Sequence, residues 1–368
     1  MKYYLIAGEA SGDLHGSNLM KEIKRKDAEA DFRFWGGDKM QAVGGTLVKH
    51  YKDLAFMGFL EVALNLKTIL NNIKICKKDI ANYKPDCIIF IDYPGFNLRI
   101  LPFAKEHNLK TFYYISPQLW AWKAGRVKTI KQFVDKMFVI LPFEKQWYKN
   151  YNYEVDFVGH PLLDAIKNIS KPNRENFLQE NNLTNKPIIA LLPGSRNQEI
   201  SIKLPIMLSI EKHFPDYQFV VAGAPSKTKS EYEKLIGKKL HIVENKTYDL
   251  LQISDAALVT SGTATLETAL LNVPEVVCYK GSWISYQIGK RLVKHIKYIS
   301  LVNLIMDEEV VTELIQEELN EENLKNELQK ILNKNNRNII QEKYKILKEK
   351  LGGEGASQRT AQLILENI

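Results

Sequence analysis

AALVTSGTATLETALL, residues 256–271, is the stretch from which the fold can be read. It opens with a short apolar run, 256–259, which reads as a buried strand. Six small residues follow, 260–265, and then Leu266, Ala269 and Leu270 fall at helical spacing. Strand, small-residue turn and helix form a unit that aims free backbone N–H groups at an anion. Small side chains let the anion approach the peptide plane, and the helix dipole adds partial positive charge there. The turn residues Ser261, Gly262, Thr263 and Ala264 are therefore candidates for holding a phosphate, and Glu267, deeper in the helix, could reach a ribose hydroxyl beside it. On this stretch alone, an ordinary N-cap at Ser261 or Thr263 with nothing bound fits equally well.

The same pattern recurs upstream. Residues 187–192 read as a strand, and Pro193-Gly194-Ser195-Arg196 follows, with Glu199 close behind. Gly194 and Ser195 allow close backbone approach, and Arg196 supplies a forked cation suited to a diphosphate. A surface arginine in an ordinary turn is the competing reading. Two phosphate-suited turns in one half of the chain are more specific than either alone. Neither is a P-loop, because no Lys-Ser or Lys-Thr closes a GxxxxG frame. No acidic cluster beside them has the makings of a Mg²⁺ site; Asp307-Glu308-Glu309 reads as a solvated loop or helix start. The expectation is a chemistry without metal or other cofactor, in which Arg196 and helix N-termini neutralise a leaving group. Strands are also expected at 219–222, 241–243 and 274–279, and a charged helical region over 312–350.

The first half carries a parallel series, with strands at 3–7, 32–36, 87–91, 111–115, 137–141 and 155–158. The turn after the first, GEASGDLHG (8–16), lacks GxGxxG spacing and so is no dinucleotide fingerprint. It carries Glu9, Ser11 and Asp13, two carboxylates and a hydroxyl suited to sugar hydroxyls, ahead of a helix expected over 17–26. Asp13 could instead cap that helix. Asp92 ends the third strand, where open α/β sheets bind ligands, and is the candidate general base; Pro94 and Gly95 argue against an immediate helix start that it would cap. His160, in Gly159-His160-Pro161, is a weaker candidate for a ligand contact. A polar stretch at 165–186 reads as a connection. The expected fold class is α/β, two Rossmann-like domains: 1–168, completed by a C-terminal helix at 352–368, and 169–351.

Composition sets outer limits. The 368 residues exceed one comfortable core, and 45% hydrophobic with 26% charged content describes a globular chain. Three scattered cysteines form neither a disulfide framework nor a metal set, which points to a reducing cytoplasm. No apolar run is long enough to span a bilayer. The net charge of +8 fits nucleic acid, an anionic lipid surface or a phosphorylated substrate. The basic residues are scattered among helices, which ranks nucleic acid low. Phe56, Met57, Phe59, Leu60, Leu66 and Ile69, with lysines following at 67, 74, 77 and 78, have the composition of an interfacial membrane helix; a helix packed on its own domain is the commoner origin of such a pattern. A second basic, apolar stretch runs from 290 to 295, and Asn303 stands alone in an apolar run, needing either a ligand hydroxyl or a structural bond.

Taken together, the motifs resemble the lipid-A-disaccharide synthases of Gram-negative bacteria. The matching runs are AGEASGD at Ala7, MGFLEV at Met57, IDYPGFN at Ile91, SPQLWAW at Ser116, LPFEK at Leu141, GHPL at Gly159, LLPGSR at Leu191, SGTATLE at Ser261, KRLVK at Lys290, YISLVNL at Tyr298 and GAS at Gly355, in the family's order over nearly the whole chain. Val302 departs from the proline usual before the family's asparagine. The resemblance implies a GT-B glycosyltransferase with its two domains facing across a cleft. It implies transfer of 2,3-diacylglucosamine from UDP-2,3-diacylglucosamine to the 6-hydroxyl of 2,3-diacylglucosamine 1-phosphate (lipid X), with inversion, giving the β-1,6-linked disaccharide and UDP. It makes Asp92 the base, puts Glu9 and Ser11 in the same active site, and has Arg196, Glu267 and Asn303 hold UDP. It further implies a peripheral enzyme on the cytoplasmic face of the inner membrane, in contact with its lipids, and an intertwined homodimer. Another UDP-sugar enzyme of the same fold, such as a 2-epimerase, is the nearest alternative, and the apolar stretch at Phe56 argues against it.

Overall fold

Strands such as Cys87–Ile91 and Ile188–Leu192 are apolar at every position, the signature of strands covered on both faces. The computed structural model describes residues 1–54, 66–167, 169–225, 227–282, 286–287 and 296–368. Phe56, Met57, Phe59 and Leu60 lie outside the described residues, as do the side chain of Leu66 and the basic stretch 290–295.

Two α/β units divide the chain, Met1–Lys167 together with Leu351–Ile368, and Asn168–Lys350. In the first, β1 (Lys2–Ala7), β2 (Asp31–Gly36), β3 (Thr46–His50), β4 (Cys87–Ile91), β5 (Lys110–Tyr114), β6 (Lys136–Val139) and β7 (Asp156–Phe157) form a parallel sheet in the order β3-β2-β1-β4-β5-β6-β7. In the second, β8 (Ile188–Leu192), β9 (Gln218–Gly223), β10 (Ile242–Glu244), β11 (Ala256–Thr260), β12 (Glu275–Tyr279) and β13 (Glu313–Ile315) are again parallel, in the order β10-β9-β8-β11-β12-β13. Each unit is thus the expected Rossmann-like α/β sheet.

In both sheets the chain winds outward one way from the first strand and then crosses to the other side, so β1 lies beside β4 and β8 beside β11. The strand ends are level, with Ala7 opposite Ile91 and Leu192 opposite Val259. Helices leaving neighbouring strands on opposite faces leave a crevice at such a switch point, and that is where open α/β sheets bind ligands. Apolar clusters fill both faces: Tyr4, Ile6, Phe90 and Tyr113 on one side of the first sheet, Leu5, Ile89, Phe112 and Tyr114 on the other. Each such fully buried side chain contributes roughly 1.5–3 kcal/mol. The helix Ala356–Leu365, from the far end of the chain, packs its Ala361 and Ile364 on that second face.

The structure corrects several expectations. The edge strands β3 and β13 were not anticipated, and β13 replaces the start of the helix expected from residue 312. Three residues are too few to display a period, and β13 is set by pairing with β12 instead. The helix after β1 runs Ala10–Lys26, so Ser11 and Asp13 sit in its first turn and not in a preceding loop. The helix after β4 starts at Pro94 itself; a proline at the first helical position has its φ preset and needs no N–H there. Ile69 turns inward: with Ile73, Cys76 and Ile80 it forms the core stripe of the helix Leu66–Tyr83, while Leu70 and Ile75 are exposed. Among the described residues, no helix is long and apolar enough to cross a membrane.

Candidate active site

At the first switch point, Asp92 follows β4 and faces the start of the helix that follows β1. Asp92 and Tyr93 both adopt left-handed backbone, φ 44° and 47°, a conformation that costs a non-glycine residue about 1 kcal/mol or more. Partners hold it there. The Asp92 carbonyl accepts from Tyr113 Oη at 2.5 Å and from Asn97 Nδ2 at 2.7 Å, and its N–H donates to the Tyr114 carbonyl at 3.0 Å. With its backbone so clamped, the carboxyl is aimed into a recess of ≈ 10 Å³ among Gly8, Glu9, Ser11, Gly12 and Tyr93, about the space of one water. Burial pushes the Asp92 carboxyl up to about 7, and the charge of Glu9 pushes the same way. Two carboxyls in one crevice, one of them titrating near neutrality, are suited to general base chemistry.

Gly8 is required here. A Cβ on it would overlap the Tyr93 ring, which stacks on Phe96 at 5.6 Å and roofs the turn. Glu9 is the N-cap residue of the Ala10–Lys26 helix but makes no side-chain cap bond there, and both it and Ser11 are exposed. Asp13 has a different role from the one expected. Its carboxylate is buried and accepts from the N–H groups of Gly37 at 2.8 Å, Lys39 at 3.0 Å and Met40 at 3.0 Å, capping the helix Asp38–Val43. An acceptor so engaged has little left for a sugar hydroxyl. His160 is also buried; its Nδ1 accepts from the Leu162 N–H at 3.2 Å, and burial pushes it down to about 3, so it stays neutral.

At the second switch point the turns after β8 and β11 lie side by side. The Gly194 turn has φ +103°, and a Cβ there would overlap the Glu199 carboxylate folded across it. That carboxylate accepts from the N–H groups of Ser195 at 3.2 Å and Arg196 at 3.4 Å, and Arg196 reaches it at 3.3 Å. The turn thus already holds an anion, its own. Beyond it Arg196 keeps an exposed side chain, 63% accessible. In the neighbouring turn the helix Thr263–Leu270 begins after Gly262, three residues earlier than periodicity indicated. The N–H groups of Thr263 and Ala264 find no acceptor among the described residues, as the first groups of a helix do. The Ser261 hydroxyl does not face outward: it donates to the Ile299 carbonyl at 2.9 Å. Glu267, raised by burial, accepts from Tyr248 Oη at 3.1 Å. Tyr248 carried no sequence signal, since a lone tyrosine in a polar helix has none.

Asn303 is fully committed within the unit. Its Nδ2 donates to the Val311 carbonyl at 2.8 Å and to Glu313 at 2.9 Å, and its Oδ1 accepts from Val310 at 2.8 Å and Val311 at 3.0 Å. All four positions of the amide are used within the unit, where the resemblance implied a contact with UDP. Glu313 in turn accepts from the N–H groups of Ile299 and Ser300, which secures the segment that holds Ser261. Val302 lies buried in the first turn of the helix Leu301–Met306, where a proline would also be tolerated. Among the described residues, no group of His, Cys, Asp and Glu could hold a metal ion.

A family model described as lipid-A-disaccharide synthetase matches residues 3–367. The lipid-A-disaccharide synthases of Syntrophus aciditrophicus and Geobacter sulfurreducens are 40% and 37% identical to this chain, over 99% of it in both cases and 97% and 96% of theirs. Among solved structures, a UDP-GlcNAc 2-epimerase from Neisseria meningitidis bound to UDP-GlcNAc superposes with a TM-score of 0.70, covering 100% of both chains at 14% identity. That last likeness is one of fold.

Proposed function

Because the chain belongs to the lipid-A-disaccharide synthase family and is therefore a glycosyltransferase, we propose that its donor is UDP-2,3-diacylglucosamine and its acceptor lipid X. The products are the β-1,6-linked disaccharide 1-phosphate and UDP, formed with inversion at the donor's C1. The observation that carries the chemistry is Asp92 at the switch point, its backbone clamped by Tyr113 and Asn97 and its carboxyl raised toward neutrality beside Glu9. In this reading the ionised carboxylate takes the proton of the acceptor's 6-hydroxyl as the oxygen attacks C1. The bond from C1 to the diphosphate oxygen breaks on the opposite face, and UDP leaves with the electron pair. Charge growing on UDP falls to Arg196 and to the N–H groups of Thr263 and Ala264, which have no acceptor among the described residues, while Glu267, which accepts from Tyr248, takes the ribose. The reading requires that the donor held by Asn168–Lys350 be brought to the base held by Met1–Lys167.

Acyl chains on both substrates call for a lipid surface, and we place the enzyme peripherally on the cytoplasmic face of the inner membrane. Exposed Leu70 and Ile75 among Lys67, Lys74 and Lys78 support that placement. The deciding experiment is incubation with UDP-2,3-diacylglucosamine and lipid X, followed by mass analysis. A product of the disaccharide mass with release of UDP is expected. Turnover of UDP-N-acetylglucosamine to its 2-epimer, with no disaccharide, would replace this reading with the epimerase one.

A further inference from the structure

The helix Asn197–Ser209 buries Ile200, Lys203, Leu204 and Met207 against the second sheet. That spacing is an ordinary core stripe with a lysine set into it. Lys203 is 2% exposed, yet no hydrogen bond or ion pair engages its ammonium among the described residues. A buried, unpaired cation opposes folding, and burial pushes this one down. An apolar residue would fill the position at lower cost.

The direction of the side chain explains the choice. Lys203 lies about 9 Å along the helix axis from its start, and helical side chains lean toward the N-terminus, here toward the Pro193–Arg196 turn. Its ammonium accordingly feels Glu199, Cys278 and Arg196. Cys278 pairs across the sheet with Thr260, the last residue of β11. Leu258 and Cys278 belong to the apolar cluster on this face, and alternation along β11 puts Thr260 on it too. The Thr260 hydroxyl is 8% exposed as a residue and also has no partner. A buried lysine and an orphaned hydroxyl therefore lie on the same face of this sheet, the hydroxyl at the carboxyl end of β11. The carboxylate above them is held by long bonds of 3.2 and 3.4 Å, the weak end of hydrogen bonding.

We propose that Lys203, with the Thr260 hydroxyl on the same face of the sheet, is an anion-binding group of this site, taking the diphosphate of the nucleotide from the sheet side while Arg196 takes it from solvent. In the unliganded turn the Glu199 carboxylate stands in for the phosphate oxygens, and the arriving diphosphate displaces it. This inference rests on the uridine diphosphate reading of the site.

The test is calorimetric titration of the full chain with UDP, and with uridine as a probe lacking phosphates, for wild type, Lys203→Met, Lys203→Arg and Arg196→Ala. Lys203→Met is expected to weaken UDP at least about tenfold, to leave uridine unchanged and to raise the unliganded melting temperature; Lys203→Arg should retain most of the UDP affinity. UDP binding weakened by Arg196→Ala but untouched by Lys203→Met overturns this inference alone. Equal loss of UDP and uridine, or a Lys203→Met chain that no longer folds, makes Lys203 a structural group and also overturns it. A wild-type chain that binds no UDP removes the underlying reading and the inference with it.

Discussion

Asp92→Asn should make the protein more stable and nearly inactive, and the structure sets the size of both effects. The carboxyl is raised by burial to about 7 from an ordinary 3.8. A group whose folded pKa is raised contributes stability that is fully present below its unfolded pKa and is lost as pH rises through the folded one. Wild type should therefore lose stability between about pH 4 and pH 7, relative to a side chain of the same shape that does not titrate. At 1.36 kcal/mol per pKa unit the full loss is up to about 4 kcal/mol, and the partial exposure of Asp92 keeps the realised value below that. Urea denaturation of both proteins from pH 4 to pH 8.5 should show curves that coincide at the acid end and separate to a plateau above pH 7, with Asp92→Asn the more stable. Turnover should fall about 10²–10⁴-fold with UDP binding retained. In wild type, kcat/KM should climb with pH below about 7 and level off above it. A stability difference independent of pH, or a flat rate profile between pH 6 and pH 8, would refute the account of Asp92 as a buried base.

Tyr113→Phe removes one of the two bonds on the Asp92 carbonyl; turnover should drop about tenfold with UDP affinity intact, and an unchanged rate would show that Asn97 suffices. Gly8→Ala forces the Tyr93 ring off the turn, so activity should be lost while circular dichroism stays native; full activity would mean that the ring moves freely. Asn303→Ala strands the Val310 and Val311 N–H groups and a bond to Glu313, which should cost roughly 2–4 kcal/mol in urea denaturation; a loss under about 1 kcal/mol would contradict the network. Arg196→Ala should weaken UDP at least about tenfold, and calorimetry showing unchanged affinity would reject its role at the diphosphate.

The alternation of apolar runs, small-residue turns and amphipathic helices was legible in the chain because each is a local property. A strand buried on both faces must be apolar throughout, and a backbone turning close to another group must carry small residues. On that basis AALVT and IIALL announce β11 and β8, and Asp92 and Glu9 stand out as acids at strand ends. The edge strands β3 and β13 were not legible, although the short edges β7 and β10 were. β13 has three residues, too few for a period, and exists because β12 lies beside it. Helix starts came earlier than expected at Ala10, Pro94 and Thr263, since the first turn of a helix carries small and polar residues that read as loop.

What the amino-acid sequence determined by itself was therefore the set of elements and the residue types at their ends. Tertiary structure alone decided which ends meet and which polar groups remain available. Strand order brings β1 to β4 and β8 to β11, turning four separate loops into two crevices. It also sends Asp13 to Gly37, Ser261 to Ile299 and Asn303 to Glu313, partners that no local pattern names, while leaving Lys203 buried and unmatched among the described residues. The physical reason is that apolar burial is written residue by residue, whereas a hydrogen bond needs two groups that only the folded chain brings together in the right geometry.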